Sequence, residues 1–336
     1  MSSEFKVKFL KGLQVLAFLV TGVMVSSQAQ TQPNASGANF PTKPIKIVVP
    51  FGAGGVADLT ARIIAQKMSE GLGQPVVVDN RPGAGGVVAA DVVAKSEPDG
   101  HTLFLISNGT AVSATLMRSL PFDPVNDFVN VGLLATFDIA ILSATDSKFN
   151  TLSDVIQYSK NKPGALNIGS INIGSTQNLT AELFKSSTSM DAQVVPFNGT
   201  PALMTALKGN QVDVAVEILG PVIPQIKAKN FKVLALTGEQ RNSSLPEVPT
   251  AKELGYKNLI ASSWNGLAAP AKTPKAIVER LNKEINAALR DPQTEKKFQE
   301  LNITPKLSTP AQAQEWYLSE IKIWGRVIEK AAIAKQ

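Results

Sequence analysis

The residues best placed for chemistry lie in two glycine-rich turns, each between an apolar run and a helical pattern. The first, Pro50-Phe51-Gly52-Ala53-Gly54-Gly55-Val56-Ala57-Asp58, follows Ile47-Val48-Val49. The second runs from Gly169-Ser170 to Gly174-Ser175-Thr176-Gln177-Asn178 and follows Leu166-Asn167-Ile168. A glycine turn that opens a helix exposes backbone N–H groups, and the aligned peptide dipoles place partial positive charge there. The chemistry expected is anion capture. Two such ends facing one cleft hold a carboxylate or phosphate without any charged side chain, which favours a binder over a catalyst.

Other segments supply candidates for the same cleft. Asn108-Gly109-Thr110 follows the apolar run 103–106, and a capping role for Thr110 is compatible with ligand contact. In Phe197-Asn198-Gly199-Thr200-Pro201, a cap at Thr200 and Pro201 at the first helical position account for those two residues. Phe197 and Asn198 are then left as cleft candidates. Glu217 closes the run 212–216, where it accepts a donor from a ligand or serves as a hydrogen-bonded brace. Arg81 reads as a salt bridge or loop brace rather than a ligand clamp.

Several chemistries are disfavoured. The chain has no cysteine, which removes disulfides, thiolate catalysis and zinc–thiolate sites together. Its one histidine, His101, lies in the turn Pro98-Asp99-Gly100-His101 and is expected at the surface. It has no histidine partner for a metal, and no Ser or Asp pattern assigns it to a triad. Gly52-x-Gly54-x-x-Ala57, with Asp79 at the end of the next apolar run, matches a dinucleotide template. Three features weigh against it: Pro50-Phe51 separates strand from glycine, Asp58 would repel a pyrophosphate, and the N-terminus reads as an export signal. No cofactor and no metal are expected.

That N-terminus has Lys6, Lys8 and Lys11, an apolar run over 13–25, and small residues before a cleavage point near Ala29. Residues 30–39 are small and polar, a flexible lead-in. Cleavage leaves 307 residues, enough for two domains, and lowers the formal charge from +6 to +4. No Lys/Arg run forms a nucleic-acid stripe, although a mild positive surface favours collection of acidic solutes. The chain is expected to be soluble in the periplasm.

The elements that must position these turns alternate. β-Branched apolar runs at 45–49, 75–79, 102–107, 139–143, 166–169, 193–196, 212–217 and 233–237 are separated by helical patterns. This predicts an α/β chain with mainly parallel sheets flanked by helices, whose ligands sit at the carboxyl ends of the strands. The last hundred residues differ: Pro274 and Pro292 each open a helix, and a last one starts behind Ser308-Thr309-Pro310. There Tyr317, Ile321, Trp324 and Ile328 form one stripe, expected to pack in the core. The runs near 139–143 and 233–237 are expected to carry two crossovers, with residues 40–140 and 240–336 forming a discontinuous first domain and 141–239 a second.

Several motifs follow one another along the chain: Phe40-Pro41-Thr42-Lys43-Pro44-Ile45, the first glycine turn, Asn80-Arg81-Pro82-Gly83-Ala84-Gly85-Gly86 and Pro98-Asp99-Gly100-His101-Thr102-Leu103. Then come Val195-Pro196-Phe197-Asn198-Gly199, Gly209-Asn210-Gln211-Val212-Asp213-Val214, and Arg241 with Leu245-Pro246-Glu247-Val248-Pro249-Thr250. Trp264-Asn265-Gly266-Leu267 and Ala269-Pro270 complete the set. In this order the motifs resemble the Bug-type periplasmic solute-binding receptors of tripartite tricarboxylate transporters. The resemblance implies a two-lobed, type II-like periplasmic-binding-protein fold that closes on an organic acid. A monomer would then present the acid to a two-component membrane permease. It also implies that Gly54, Gly55 and Asp58 on one lobe, with Gly174, Ser175 and Thr176 on the other, hold a carboxylate, often through ordered water.

Ser175→Ala is accordingly expected to weaken carboxylate binding by about 1–3 kcal/mol. Four departures alter the implied cleft: Asn172 and Asn178 replace a usual glycine and histidine, Phe197-Asn198 a Tyr-Lys or Tyr-Arg pair, Glu217 an aspartate, and Ala57 a polar residue. With Ile171 and Ile173 in the second loop, they favour an aromatic mono- or dicarboxylate. An exported enzyme using Asp58 and Glu217 as acid and base, or a binding protein serving a signalling sensor, are the competing readings.

Overall fold

Runs of Ile and Val between glycine-rich turns build a parallel set of strands, each followed by a helix. The computed structural model describes residues 39–83, 86–330 and 333–335. The export signal through Ala29 and residues 30–38 of the lead-in lie outside the described residues.

The first half contains β1 (Ile45–Val49), α1 (Val56–Leu72), β2 (Val76–Asn80), α2 (Val87–Ala94), β3 (Thr102–Ser107) and α3 (Asn108–Leu116). After these comes β4 (Phe128–Ala144), and then α4 (Leu152–Asn161), β5 (Leu166–Ile171), α5 (Thr176–Thr188), β6 (Ala192–Phe197), α6 (Thr200–Lys208), β7 (Val214–Ile218), α7 (Leu219–Lys227) and β8 (Phe231–Leu236). The chain returns through β9 (Ser262–Pro270), α8 (Lys275–Leu289), α9 (Pro292–Glu300), the short β10 (Thr304–Pro305) and α10 (Pro310–Lys330).

The strands form two sheets that share β4. One has the order β2-β1-β3-β9-β4 and the other β6-β5-β7-β4-β8. In the first, β1 is parallel to β2 and β3, while β9 is antiparallel to both β3 and β4, so β4 runs with the first three. In the second, β5 is parallel to β6 and β7, and β4 is antiparallel to β7 and β8. Each sheet is therefore mainly parallel in direction, with one long strand set against the rest.

β4 exceeds its expected 139–143 because its first half, through Asp138, pairs with β9. From Ile139 onward it pairs with β7, and from Ala140 with β8. β4 thus changes partner between Asp138 and Ile139, at the start of the run expected to carry a crossover. The return is pinned beside it: Thr237 N–H donates to Ile139 O at 2.9 Å, and Ala261 N–H donates to Thr237 O at 2.9 Å, one residue before β9.

β9 lies where the sequence pattern assigned no element. Its sequence, Ser-Ser-Trp-Asn-Gly-Leu-Ala-Ala-Pro, has no β-branched run. Pairing on both edges imposes the strand. Gly266 marks the close approach, since a Cβ there would meet Gly132 O at 2.9 Å. On α10, Tyr317, Trp324 and Ile328 are buried as the stripe predicts. His101, by contrast, is buried rather than a surface residue: Phe40 packs edge-on at 5.0 Å, and Nε2 accepts the Thr42 N–H at 3.2 Å. The turn sequence identified the backbone correctly but not the cover supplied by the segment before β1. Among the described residues no helix is long and apolar enough to cross a membrane.

Candidate functional site

Both glycine turns are built by the same local device. Gly54 has φ +83° and donates its N–H to Asp58 Oδ2 at 2.9 Å, while Gly174 has φ +80° and donates to Asn178 Oδ1 at 3.2 Å. In each, a left-handed glycine turns its amide onto the side chain four residues later, in the first turn of the helix. Only glycine adopts that backbone without a Cβ penalty.

The first loop is held further from beside it. Asn80 Nδ2 donates to Asp58 Oδ1 at 2.9 Å and to Phe51 O at 3.0 Å. Arg62 Nε reaches Asp58 Oδ2 at 3.0 Å, and its Nη2 lies 3.0 Å from Oδ1. Burial alone would raise the pKa of Asp58. The Arg62 bond, the Gly54 N–H, the Asn80 amide and the Arg62 charge together hold it below the ordinary carboxylate range. Both Asp58 oxygens are therefore engaged in shaping the loop. In the second loop Asn178 Nδ2 donates to Ser170 Oγ at 3.0 Å, so Ser170 braces Asn178.

Ser175 is the N-cap of α5: its Oγ accepts the Asn178 N–H at 3.1 Å and donates to Ile171 O at 3.1 Å. This geometry adds a structural cost to the expected binding effect. Ser175→Ala should lower stability by about 1 kcal/mol in chemical denaturation, as loss of a serine cap does. Ser175→Asn, which can still cap, should retain most of it.

With Gly54 and Gly174 N–H engaged, the donors left over are different ones. Among the described residues, the N–H groups of Gly55, Val56, Ala57 and Asp58 at the α1 start find no acceptor, and neither do those of Thr176 and Gln177 at the α5 start. Gly54 and Gly55 are exposed, whereas Ala57 lies buried against the core. These free donors are what the arrangement offers an anion.

The other predicted residues fall in several places. Asn108 is fully buried and pinned: Oδ1 accepts the Trp264 N–H at 3.0 Å, and Nδ2 donates to Glu320 Oε2 at 2.9 Å. Thr110 is buried in the first turn of α3. Phe197 is half-buried on the core of the second sheet, and Asn198 is exposed. Phe51 is half-buried against the core of the first. Arg81 pairs with Asp79 at 2.9 Å, the brace expected of it.

Glu217 is fully buried beneath α5. Its Oε1 accepts from Gln177 Nε2 at 2.8 Å and from the Ile218 N–H at 2.7 Å, while Oε2 makes no hydrogen bond. Burial raises its pKa against the pull of Gln177, Ile218 and, more distantly, the Thr200 hydroxyl. A carboxyl whose pKa is raised by folding carries no penalty below its ordinary value of about 4. It destabilises the fold progressively as pH rises from there to the raised value. Glu217→Gln should therefore melt higher than the unaltered protein at pH 8 and match it near pH 4 in thermal scans.

Two residues that the sequence did not single out lie beside the α5 start. Gln177 sits between the α5 start and Glu217, and Ser263 Oγ on β9 lies 3.4 Å from Thr176 Oγ1. The Ser263 contact joins the second sheet's helix start to a strand of the first sheet. No alternation in Ser-Ser-Trp-Asn-Gly-Leu-Ala-Ala-Pro pointed to Ser263, because β9 is buried on both faces. An open groove of about 520 Å³ lies elsewhere, against α10 and the segment after β10, and includes Lys306 and Trp316 but none of the predicted residues.

This architecture, two mainly parallel sheets exchanging strands beside paired helix starts, is that of the two-lobed periplasmic binding proteins. Solved structures of that class superpose closely. A Rhodopseudomonas palustris protein with adipate is 32% identical with a TM-score of 0.83, covering 88% of this chain and 99% of that one. The periplasmic binding protein BugD is 30% identical with a TM-score of 0.81, covering 88% and 100%. MatC from Rhodopseudomonas palustris, with bound malate, is 31% identical with a TM-score of 0.79, covering 86% and 100%. Protein BugT of Bordetella pertussis is 34% identical over 313 residues, 93% of this chain and 96% of its own length. Residues 60–333 match the tripartite tricarboxylate transporter family receptor, and the chain belongs to that family.

Proposed function

We propose that this protein captures a small organic carboxylate between the α1 and α5 starts in the periplasm and passes it to a membrane permease of the tripartite tricarboxylate type. The observation that carries the reading is the pair of helix starts with unengaged N–H groups, the α5 start meeting the first sheet through the Thr176–Ser263 contact. Related receptors with bound malate and adipate support the same chemistry. The two crossing points, at Asp138/Ile139 and Thr237–Ala261, support lobes of residues 40–140 with 240–336, and 141–239.

A ligand touching donors on both lobes binds the closed arrangement better than the open one, and that difference drives closure. Ala57, Phe197, Ile171 and the half-exposed Ile173 make the surroundings less polar. They favour an acid with an apolar body, aromatic mono- or dicarboxylates among them. The mature protein acts as a monomer and performs no chemistry on its ligand.

The test is calorimetric titration of the mature protein with malate, adipate, citrate, glutamate, benzoate and phthalate. Recovery of each acid is followed by chromatography. Saturable one-to-one binding with the acid returned unchanged is the expected result. Binding of none of the panel overturns the receptor reading, turnover of a bound acid points to an enzyme, and binding of citrate or glutamate alone overturns the apolar preference.

A further inference from the structure

Two side chains at the cleft end of the first sheet are buried and have no partner. Ser107 is 4% exposed and Asn265 is 3% exposed, yet among the described residues neither Ser107 Oγ nor Asn265 Nδ2 finds a hydrogen-bond partner. They are direct neighbours, because Ser107 of β3 registers with Asn265 of β9. Buried polar groups are nearly always paired, since an unmet donor retains its desolvation penalty. Two adjacent orphans in one sheet therefore need an explanation.

Their direction follows from strand alternation. Ser107 continues the face of Leu103 and Leu105, which pack in the core cluster that includes Ala57, Ala61 and Ile64 of α1. Phe104 and Ile106 face the opposite cluster, with Tyr317 of α10. Asn265 continues the face of Leu267 in the α1-side cluster and of Ser263, whose Oγ meets Thr176 Oγ1 at the α5 start. The orphan pair thus lies on the α1 face of the sheet, two residues along β9 from the α5 start, a step of about 7 Å. Ser107 is also the N-cap residue of α3 but makes no side-chain capping bond, so its hydroxyl is turned away from the helix it could serve.

We infer that Ser107 and Asn265 form a neutral polar floor to the cleft, donating from hydroxyl and amide to a carboxylate oxygen of the acid held by the α1 and α5 starts. This inference rests on the carboxylate-receptor reading. It adds a contact from the β3–β9 edge, which neither glycine loop supplies. Both groups are covered in this conformation, so the acid reaches them when α5 and its sheet move away from Ser263. The two donors stay unpaired without ligand because a satisfied floor would compete with the acid. Their cost to the empty protein is recovered on binding.

The experiment uses Ser107→Ala and Asn265→Leu in the mature protein. Each is titrated with malate, adipate and benzoate and melted without acid. Affinity for whichever acid the unaltered protein binds should fall about tenfold or more, the equivalent of one lost hydrogen bond. The melting temperature without acid should hold or rise, because an unmet polar group has been removed. Unchanged affinity in both variants overturns the inference and leaves the receptor reading intact. A lower melting temperature with unchanged affinity does the same and assigns the pair to a buried water. Should Asn265→Leu fail to fold, Ser107→Ala, which removes a single oxygen, decides alone. An unaltered protein that binds no acid overturns the inference together with the reading beneath it.

Discussion

Glu320→Ala is expected to destabilise the protein by about 3–5 kcal/mol, the largest loss from any single polar substitution proposed for this chain. One oxygen, Glu320 Oε2, accepts three N–H groups: Asn108 Nδ2 at 2.9 Å, Trp264 Nε1 at 3.1 Å and Trp324 Nε1 at 2.9 Å. Asn108, Trp264 and Trp324 are all buried. Alanine leaves both tryptophan N–H groups without an acceptor and Asn108 Nδ2 with only the long contact to Ser262 O at 3.5 Å. Glu320→Gln keeps a carbonyl oxygen for the same donors and should retain most of the stability. Burial raises the Glu320 pKa, opposed by the Trp324, Trp264 and Asn108 hydrogen bonds. Its contribution is therefore greatest below about pH 4 and declines as pH rises through the raised value. Urea denaturation of both variants at pH 5 and pH 8 checks this. An alanine variant within 1 kcal/mol of the unaltered protein, roughly the median effect of any substitution, would refute it.

Asp58→Ala is expected to cost about 2–4 kcal/mol and to loosen the first anion loop. Alanine strands the Gly54 N–H, one bond of the Asn80 amide and the Arg62 guanidinium, which is half exposed and partly recovers water. Asp58→Asn should cost far less, because the second loop makes the same glycine-to-side-chain bond with Asn178. The comparison separates shape from charge. The Asp58 pKa is depressed in the fold, so its stabilising contribution is complete above the ordinary value of about 4. It is lost as pH falls through the lower folded value. Denaturation between pH 7 and pH 3 should show a smaller acid-side loss in Asp58→Asn than in the unaltered protein, the remainder coming from other carboxylates with depressed pKa values such as Asp99 and Asp291. For binding, Asp58→Ala should weaken the acid that the unaltered protein takes, since the free N–H groups of Gly55 to Asp58 keep their direction through this loop.

Much of the fold was legible because its signals are local. Strand-forming residues, glycine turns and the α10 stripe each occupy a short window, and all eight predicted apolar runs fall on or overlap strands. β9 was not legible, because Ala, Gly, Asn and Ser become a strand only when β3 and β4 flank them. For the same reason the long first half of β4 went unread.

The site divides along the same line. Both glycine turns and the helix starts behind them followed from residue types alone. What each side chain does there depended on neighbours distant in sequence. Asn108 is drawn to α10 by a residue 212 positions away, and Glu217 is roofed by Gln177, 40 positions before it.

By itself the sequence determined the alternating α/β plan, the two backbone amide clusters and the near absence of groups for covalent or metal chemistry. Those properties belong to residue types and short spacings. Only the tertiary structure decided which amides remain free, which carboxylates brace loops, and which polar groups are left unmet between β3 and β9. Each of these outcomes depends on burial and on partners that meet only when distant segments pack together.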